Sequence, residues 1–136
     1  MKSKVKFLKN RRKSFRISEN VFISFIYAFN GISYTFKNSR NFKIQLLFAL
    51  CSLILGSIIK LDNSGFLILI VTIFSVLILE ILNTSIESLV DLVVKKKFSI
   101  LAKVAKDCSA GAVLLASINS VIIALYLFIP KIKLLF

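Results

Sequence analysis

The sequence predicts an all-α membrane protein with three transmembrane helices and an N-terminal amphipathic surface helix. Hydrophobic residues make up 57% of the 136 residues, and the mean hydropathy is +0.87. Soluble domains contain about 45–50% apolar residues. The apolar residues lie in long runs, and Lys and Arg flank these runs, which is typical of membrane spans. These observations indicate one membrane domain rather than a soluble fold.

The positive charge also fits a membrane better than a nucleic acid. There are 19 Lys and Arg against 6 Asp and Glu, which gives a net charge of +13. A basic nucleic-acid-binding surface needs a soluble core beneath it, and the apolar runs argue against one. We therefore expect no nucleic-acid partner. The absence of His from the sequence excludes a Ser–His–Asp set, and there is no P-loop and no soluble protein-kinase signature.

The region before the first span divides into a tail and a surface helix. Residues 1–18 carry eight positive charges and no negative ones, and we expect an anionic leaflet to attract this flexible tail. Residues 19–38 have apolar side chains at helical spacing, which favours an amphipathic helix on the inner leaflet. A fourth span is the alternative. It would put Lys37, Arg40 and Lys43 outside, against the positive-inside bias.

The three spans are predicted at residues 43–60, 65–94 and 107–129, within a membrane domain of residues 19–136. The second is about 45 Å long as a helix, whereas the hydrocarbon core is about 30 Å thick. Its far end must therefore reach the headgroups or the cytoplasm. The basic segment 95–106 connects it to the third span, which Pro130 is expected to end.

Topology follows from the distribution of Lys and Arg. Eleven precede the first span, one lies in the first turn, five lie in the 95–106 connection and two follow the third span. The positive-inside bias then predicts that the N-terminus and the connection are cytoplasmic and the C-terminus is outside.

An acidic stripe on the second helix is the feature that points to chemistry. Glu80, Glu87 and Asp91 lie at offsets 0, 7 and 11, and Asn83 lies at offset 3. These positions share one face of a helix. If the hydrocarbon begins near Phe66, Glu80 lies about 21 Å into it. Glu87 then lies near the inner boundary and Asp91 beyond it, so the stripe leads from lipid to water.

Glu80 needs the strongest explanation, because an acid within a membrane helix costs about 2.5–3.5 kcal/mol. Such acids are functional by default, and a carboxylate removed from water is suited to accept a proton. The alternative is a protonated Glu80 that bonds to Asn83 or a neighbouring helix as packing. Glu87 could hold a cation. Asp91 is equally well explained by an ion pair with Lys95.

The third helix is expected to bring further charges to the same place. Lys106 and Asp107 precede small residues, which allow another helix to approach closely and would bring the charged pair near Glu87. A lysine beside carboxylates can bind phosphate. The alternative for Lys106 is an anchor that reaches to the membrane surface.

The string from Glu80 to Asp91, E-x-x-N-T-S-x-E-x-x-x-D, followed by Ala105-Lys106-Asp107 and the small residues, resembles the small bacterial integral-membrane diacylglycerol kinase family, which includes undecaprenol kinases. The resemblance covers about residues 20–129. It implies a homotrimer in the bacterial inner membrane that transfers the γ-phosphoryl group of ATP, with Mg²⁺, to a lipid hydroxyl. Diacylglycerol, giving phosphatidic acid in phospholipid metabolism, is the expected acceptor, and undecaprenol is the alternative.

The resemblance also implies the parts that residues take in the reaction. Glu80 would be the general base, and Glu87 would bind Mg²⁺ and thereby the nucleotide. Two charged residues of the third helix, Lys106 and Asp107, would contact the ATP phosphates. The site would be supported by Asn83 and Asp91.

Two departures from the family pattern bear on this site. The usual metal-binding Glu before the first span is replaced by Ser39, which could bind Mg²⁺ through water or leave it to Glu87 and the phosphates. The usual E-Y-H of the cytoplasmic connection is replaced by Lys97-Phe98-Ser99. Reduced activity, and hence a catalytically silent scaffold, is therefore one alternative. A small cation- or proton-coupled transporter using Glu80 is another.

Overall fold

The computed structural model describes residues 21–95 and 97–133, and every regular element in these ranges is a helix. The order is α1 (Val21–Asn38), α2 (Arg40–Ile58), α3 (Asn63–Val94) and α4 (Ile100–Lys133). The predicted all-α class is therefore confirmed. The predicted tail, residues 1–18, lies outside the described residues.

The chain divides after Tyr34 into two units. The described part of the first unit, residues 21–34, is the greater part of α1 and exposes its large apolar side chains, including Phe22, Phe25 and Phe29. Its location at a membrane surface stays a prediction. The second unit holds the end of α1 together with α2, α3 and α4.

Helices α2, α3 and α4 are each long and apolar enough to cross a membrane. This finding confirms the prediction of three spans and describes a multi-pass membrane protein. The 32 residues of α3 give a length of about 48 Å, which exceeds the hydrocarbon core of about 30 Å. One end of α3 therefore extends past the hydrocarbon.

The helix ends are explained by local capping. Ser39 precedes α2 with extended backbone angles, and its side chain accepts a hydrogen bond from Phe42 N at 3.1 Å. Asp62 caps α3 in the same way by accepting from Gly65 N at 3.3 Å. Such caps satisfy backbone donors that have no partner within the helix. At its other end, α3 stops at Lys95 in the left-handed conformation (φ 46°, ψ 44°).

Helix α4 is longer than the predicted span of residues 107–129. It begins at Ile100 because Ser99 caps it, with its Oγ accepting from Ala102 N at 3.4 Å. The basic connection is therefore largely the first turns of α4. Pro130 does not end the helix, which continues to Lys133. A proline removes one donor, and its fixed φ angle is compatible with a final turn.

The second unit is built around α3, which contacts both α2 and α4. Buried apolar residues at these contacts include Phe42, Ala49, Leu69, Val76 and Val113. The short connections make consecutive helices antiparallel, so the start of α2, the second half of α3 and the start of α4 lie at the same end. The buried polar residues Glu80, Asn83 and Ser109 also lie at this end.

Candidate functional site

Glu80 is the most enclosed of the acidic residues, with 2% of its surface exposed. Both of its carboxylate oxygens face donors from the start of α2. Ser39 Oγ donates to Oε1 at 2.7 Å, and Gln45 Nε2 donates to Oε2 at 3.3 Å. The partners thus lie on a neighbouring helix, as the packing alternative for Glu80 also allowed, and Asn83 is not among them. Two donors fix the orientation of the carboxylate.

Ser39 serves two structural purposes at once. Its Oγ accepts from Phe42 N as the cap of α2 and donates to Glu80, which lies 41 positions later in the chain. A hydroxyl can do both because it has one donor and two acceptor lone pairs. The residue that replaces the family's expected metal-binding Glu therefore lies beside the predicted base. Its hydroxyl is used for the carboxylate and the helix end.

Gln45 was not identified from the sequence, although it is the second partner of Glu80. The available signal was a polar amide near the start of an otherwise apolar helix, which is expensive unless the amide finds a partner. Spacing within one helix gave no means of pairing it with a residue 35 positions away.

The next residues along α3 form a second hydrogen-bonded group. Asn83 Nδ2 donates to Glu87 Oε1 at 3.0 Å, and Asn83 Oδ1 accepts from Ser109 Oγ at 2.6 Å. Ser109 is buried on α4 and also donates toward the carbonyl of Lys106 at 2.9 Å. The supporting position predicted for Asn83 is consistent with this geometry. Ser109 was recognised only as a small residue in a helix contact.

The Asp91 carboxylate pairs with Lys106 of α4 rather than with Lys95. The prediction of a partner four residues along the same helix was therefore wrong, because Lys95 lies in the left-handed turn where α3 ends. Both members of the observed pair are accessible, with side chains exposed by 66% for Asp91 and 37% for Lys106. The phosphate-binding candidate Lys106 thus lies at an open end of the site.

Burial falls steadily along the acidic stripe. Glu80 and Asn83 are buried, whereas Glu87 and Asp91 are exposed. Asp107 is also exposed at the start of α4, and it takes no part in the hydrogen bonds described above. The stripe therefore runs from an enclosed carboxylate to an accessible group of charges.

An apolar groove between α2, α3 and α4 begins beside Glu80. Its volume is about 470 Å³, and Gln45 contributes to its wall. The remaining wall is mainly aliphatic and aromatic, including Phe48, Leu55, Leu69, Leu77, Val121 and Phe128. A groove with this lining suits a hydrocarbon chain better than a polar ligand.

The donor set was examined for Mg²⁺. Among the described residues no three acidic, His or Cys side chains are grouped to hold a metal ion. Mg²⁺ commonly takes only one or two carboxylates and completes its shell with water and substrate phosphates. Glu87 is exposed, and its Oε2 is not the oxygen bound by Asn83. The residues present therefore fit a Mg²⁺ ion that arrives with phosphate groups.

Comparison with known proteins gives three findings. A family model described as prokaryotic diacylglycerol kinase matches residues 26–128. A protein of Synechocystis sp. named diacylglycerol kinase is 42% identical over 120 residues, which cover 88% of this chain and 69% of the relative. A protein of Bacillus subtilis named undecaprenol kinase is 41% identical over 110 residues, which cover 81% of this chain and 89% of the relative.

Proposed function

Because the chain belongs to the prokaryotic diacylglycerol kinase family, we propose that it transfers the γ-phosphoryl group of ATP to the hydroxyl of a membrane lipid. The observation that carries the proposal is the enclosed Glu80 carboxylate, held by two donors at the mouth of an apolar groove. A lipid alcohol in the groove would meet a proton acceptor there. The exposed charges of α3 and α4 lie on the other side of that carboxylate.

In the proposed reaction Glu80 is the general base. The lipid oxygen attacks the γ-phosphorus, the bond from that phosphorus to the ADP oxygen breaks, and the hydroxyl proton moves to Glu80. Proton removal by a correctly placed carboxylate contributes about 10²–10⁴-fold to such rates. Ser39 and Gln45 hold the carboxylate in one orientation, so little reorganisation is needed when the lipid arrives.

The exposed end of the site is proposed to bind the nucleotide. Glu87, oriented by Asn83, would hold Mg²⁺, and the bound ion would neutralise charge on the phosphates. Lys106 would leave Asp91 to contact a phosphate, which costs little because the ion pair is accessible to water. Asp107, at the start of α4, is a further contact on this side.

Diacylglycerol is the first acceptor proposed, with phosphatidic acid as the product. The support is the relative named diacylglycerol kinase, whose match covers 88% of this chain. Undecaprenol is the second acceptor, because the relative named undecaprenol kinase is almost as similar and is covered over 89% of its length.

The proposed setting is a bacterial inner membrane, with the basic N-terminus and the charged end of the site in the cytoplasm, where ATP is present. The support is the distribution of Lys and Arg described above. A homotrimer is proposed from the family pattern, with residues 19–136 as the kinase domain and residues 1–18 as its basic tail. The extensive exposed apolar surface of α2, α3 and α4 is compatible with both lipid and further copies.

The test is a phosphoryl-transfer assay of the purified protein in lipid nanodiscs with γ-labelled ATP and Mg²⁺. Diacylglycerol and undecaprenol are supplied in separate reactions. We expect labelled phosphatidic acid as the main product. Labelled undecaprenyl phosphate alone would select the second acceptor.

The absence of label from both lipids would contradict the kinase proposal and leave a silent scaffold. A transporter would instead show a cation or proton flux in proteoliposomes that disappears in the Glu80→Gln variant.

A further inference from the structure

The Gln45 side chain has a second polar atom that the contact with Glu80 leaves unused. Its Nε2 donates to Glu80, but its Oε1 is buried and has no hydrogen-bond partner among the described residues. The amide must keep this orientation because a carboxylate oxygen is an acceptor and repels another acceptor. A buried acceptor without a donor is costly. We therefore asked which donor could reach it.

The hydroxyl groups of the groove are already committed within their own helices. Each donates to a backbone carbonyl of its own helix at 2.7–2.9 Å: Ser52 to Ala49, Thr72 to Ile68, Ser117 to Val113 and Ser120 to Ser117. The rest of the lining is almost wholly apolar. A donor for Gln45 Oε1 must therefore come with whatever occupies the groove.

We propose that Gln45 Oε1 accepts a hydrogen bond from the hydroxyl of the acceptor lipid, whose hydrocarbon chain lies in the groove. The inference rests on the proposed function and adds a lipid-binding residue to it. A lipid alcohol combines the two features that the site requires, one hydrogen-bond donor and a long apolar body.

The same amide would then hold both partners of the proton transfer. Nε2 is bonded to the base, and Oε1 to the hydroxyl that will lose its proton. When the lipid oxygen attacks the phosphorus, the proton moves from its bond with Gln45 to Glu80, and no other donor or acceptor is needed. Gln45 would thereby favour lipids that carry a free hydroxyl over lipids of equal apolarity that lack one.

The test measures lipid binding without ATP, so that it does not depend on turnover. The protein in nanodiscs is titrated with a fluorescent diacylglycerol and with the same lipid as its O-methyl ether, which cannot donate. The ratio of the two Kd values is compared between the parent chain and Gln45→Met, which is similar in length and has no amide. We expect the preference for the alcohol to fall about tenfold in the variant, as for the loss of one buried hydrogen bond.

Ser75→Ala is the matched control. Ser75 is on the same helix as Glu80 but does not line this groove, and its hydroxyl donates to its own helix at Val71 O (2.8 Å). The control should keep the full preference. Binding of the ether should be similar in all three proteins, which also reports that the groove is intact.

An unchanged preference in Gln45→Met would overturn the inference. Equal binding of alcohol and ether by the parent chain would also overturn it, and this comparison needs no variant. Exclusion of both lipids because a second copy of the chain fills the groove would do the same. A chain that shows the Gln45-dependent preference but transfers no phosphate would contradict the proposed function alone.

Discussion

Replacing Glu80 with glutamine separates the chemistry of this residue from its packing. The new side chain has the same shape, and its carbonyl oxygen can still accept from Ser39. Its amide group would face Gln45 Nε2, but Gln45 can turn so that its unpartnered Oε1 accepts instead. We therefore expect the free energy of unfolding to change by less than about 1 kcal/mol, since each hydrogen bond is replaced by another.

The rate should respond very differently, because an amide cannot take up the proton of the lipid hydroxyl. The expected loss in kcat is about 10²–10⁴-fold, equivalent to about 3–5 kcal/mol in the activation free energy. Initial rates of phosphoryl transfer from labelled ATP, at saturating lipid, measure the loss. Denaturation in detergent mixtures measures the stability of the same preparations.

A Glu80→Gln protein that keeps its fold and retains kcat within tenfold of the parent would refute the assignment of Glu80 as the base. The turning of Gln45 has its own consequence. Its Oε1 would then be occupied by the new amide, so the preference for a lipid alcohol over its ether should also fall in this variant.

Three further predictions concern the surroundings of Glu80. Ser39→Ala removes the cap of α2 and one donor to the carboxylate, and should lower the free energy of unfolding by about 1 kcal/mol and kcat about tenfold. Lys106→Met should raise the KM for ATP about tenfold by removing a phosphate contact. Asp91→Asn should change that KM less than threefold and stability by under about 0.5 kcal/mol, because the pair is exposed. Gly56→Ala should destabilise by about 1 kcal/mol, because the added carbon would lie 3.1 Å from a leucine methyl. Gly111→Ala has no neighbour within 4 Å and should stabilise by about 0.5–1 kcal/mol.

Each of these predictions has a result that would contradict it. Parental stability of Ser39→Ala would show that the cap contributes nothing. Equal effects of Lys106→Met and Asp91→Asn on the KM for ATP would indicate that the ion pair, not the lysine alone, is needed. Destabilisation of Gly111→Ala would indicate that another chain packs against this face of α4, and Gly56→Ala as stable as the parent would show that the local packing yields.

The fold class was predictable because its signals are local. Three apolar runs with basic flanks predicted three spans, and the structure has α2, α3 and α4 there. Family membership was also predictable, because the string from Glu80 to Asp91 lies within one helix and keeps its spacing in the sequence. The start of α4 was missed, because Ser99 acts as a cap only when the backbone before it turns.

The site was predictable only in part. Helical periodicity assigned Glu80, Asn83, Glu87 and Asp91 to one stripe, and these residues do lie on α3. Periodicity gave no information about which residues of other helices face that stripe. The choice of Lys106 rather than Lys95 as the partner of Asp91 is an example, because it depends on how α3 ends and where α4 starts.

The sequence by itself determined the helices, their apolar faces and the row of acids, since each depends on residues within a few turns of one another. Only the tertiary structure decided that Ser39 and Gln45 hold Glu80, and that one oxygen of Gln45 is left without a donor beside an apolar groove. The physical reason is that the relative rotation and axial register of α2 and α3 bring together side chains 35 to 41 positions apart, and neither quantity is encoded in the spacing along a single helix.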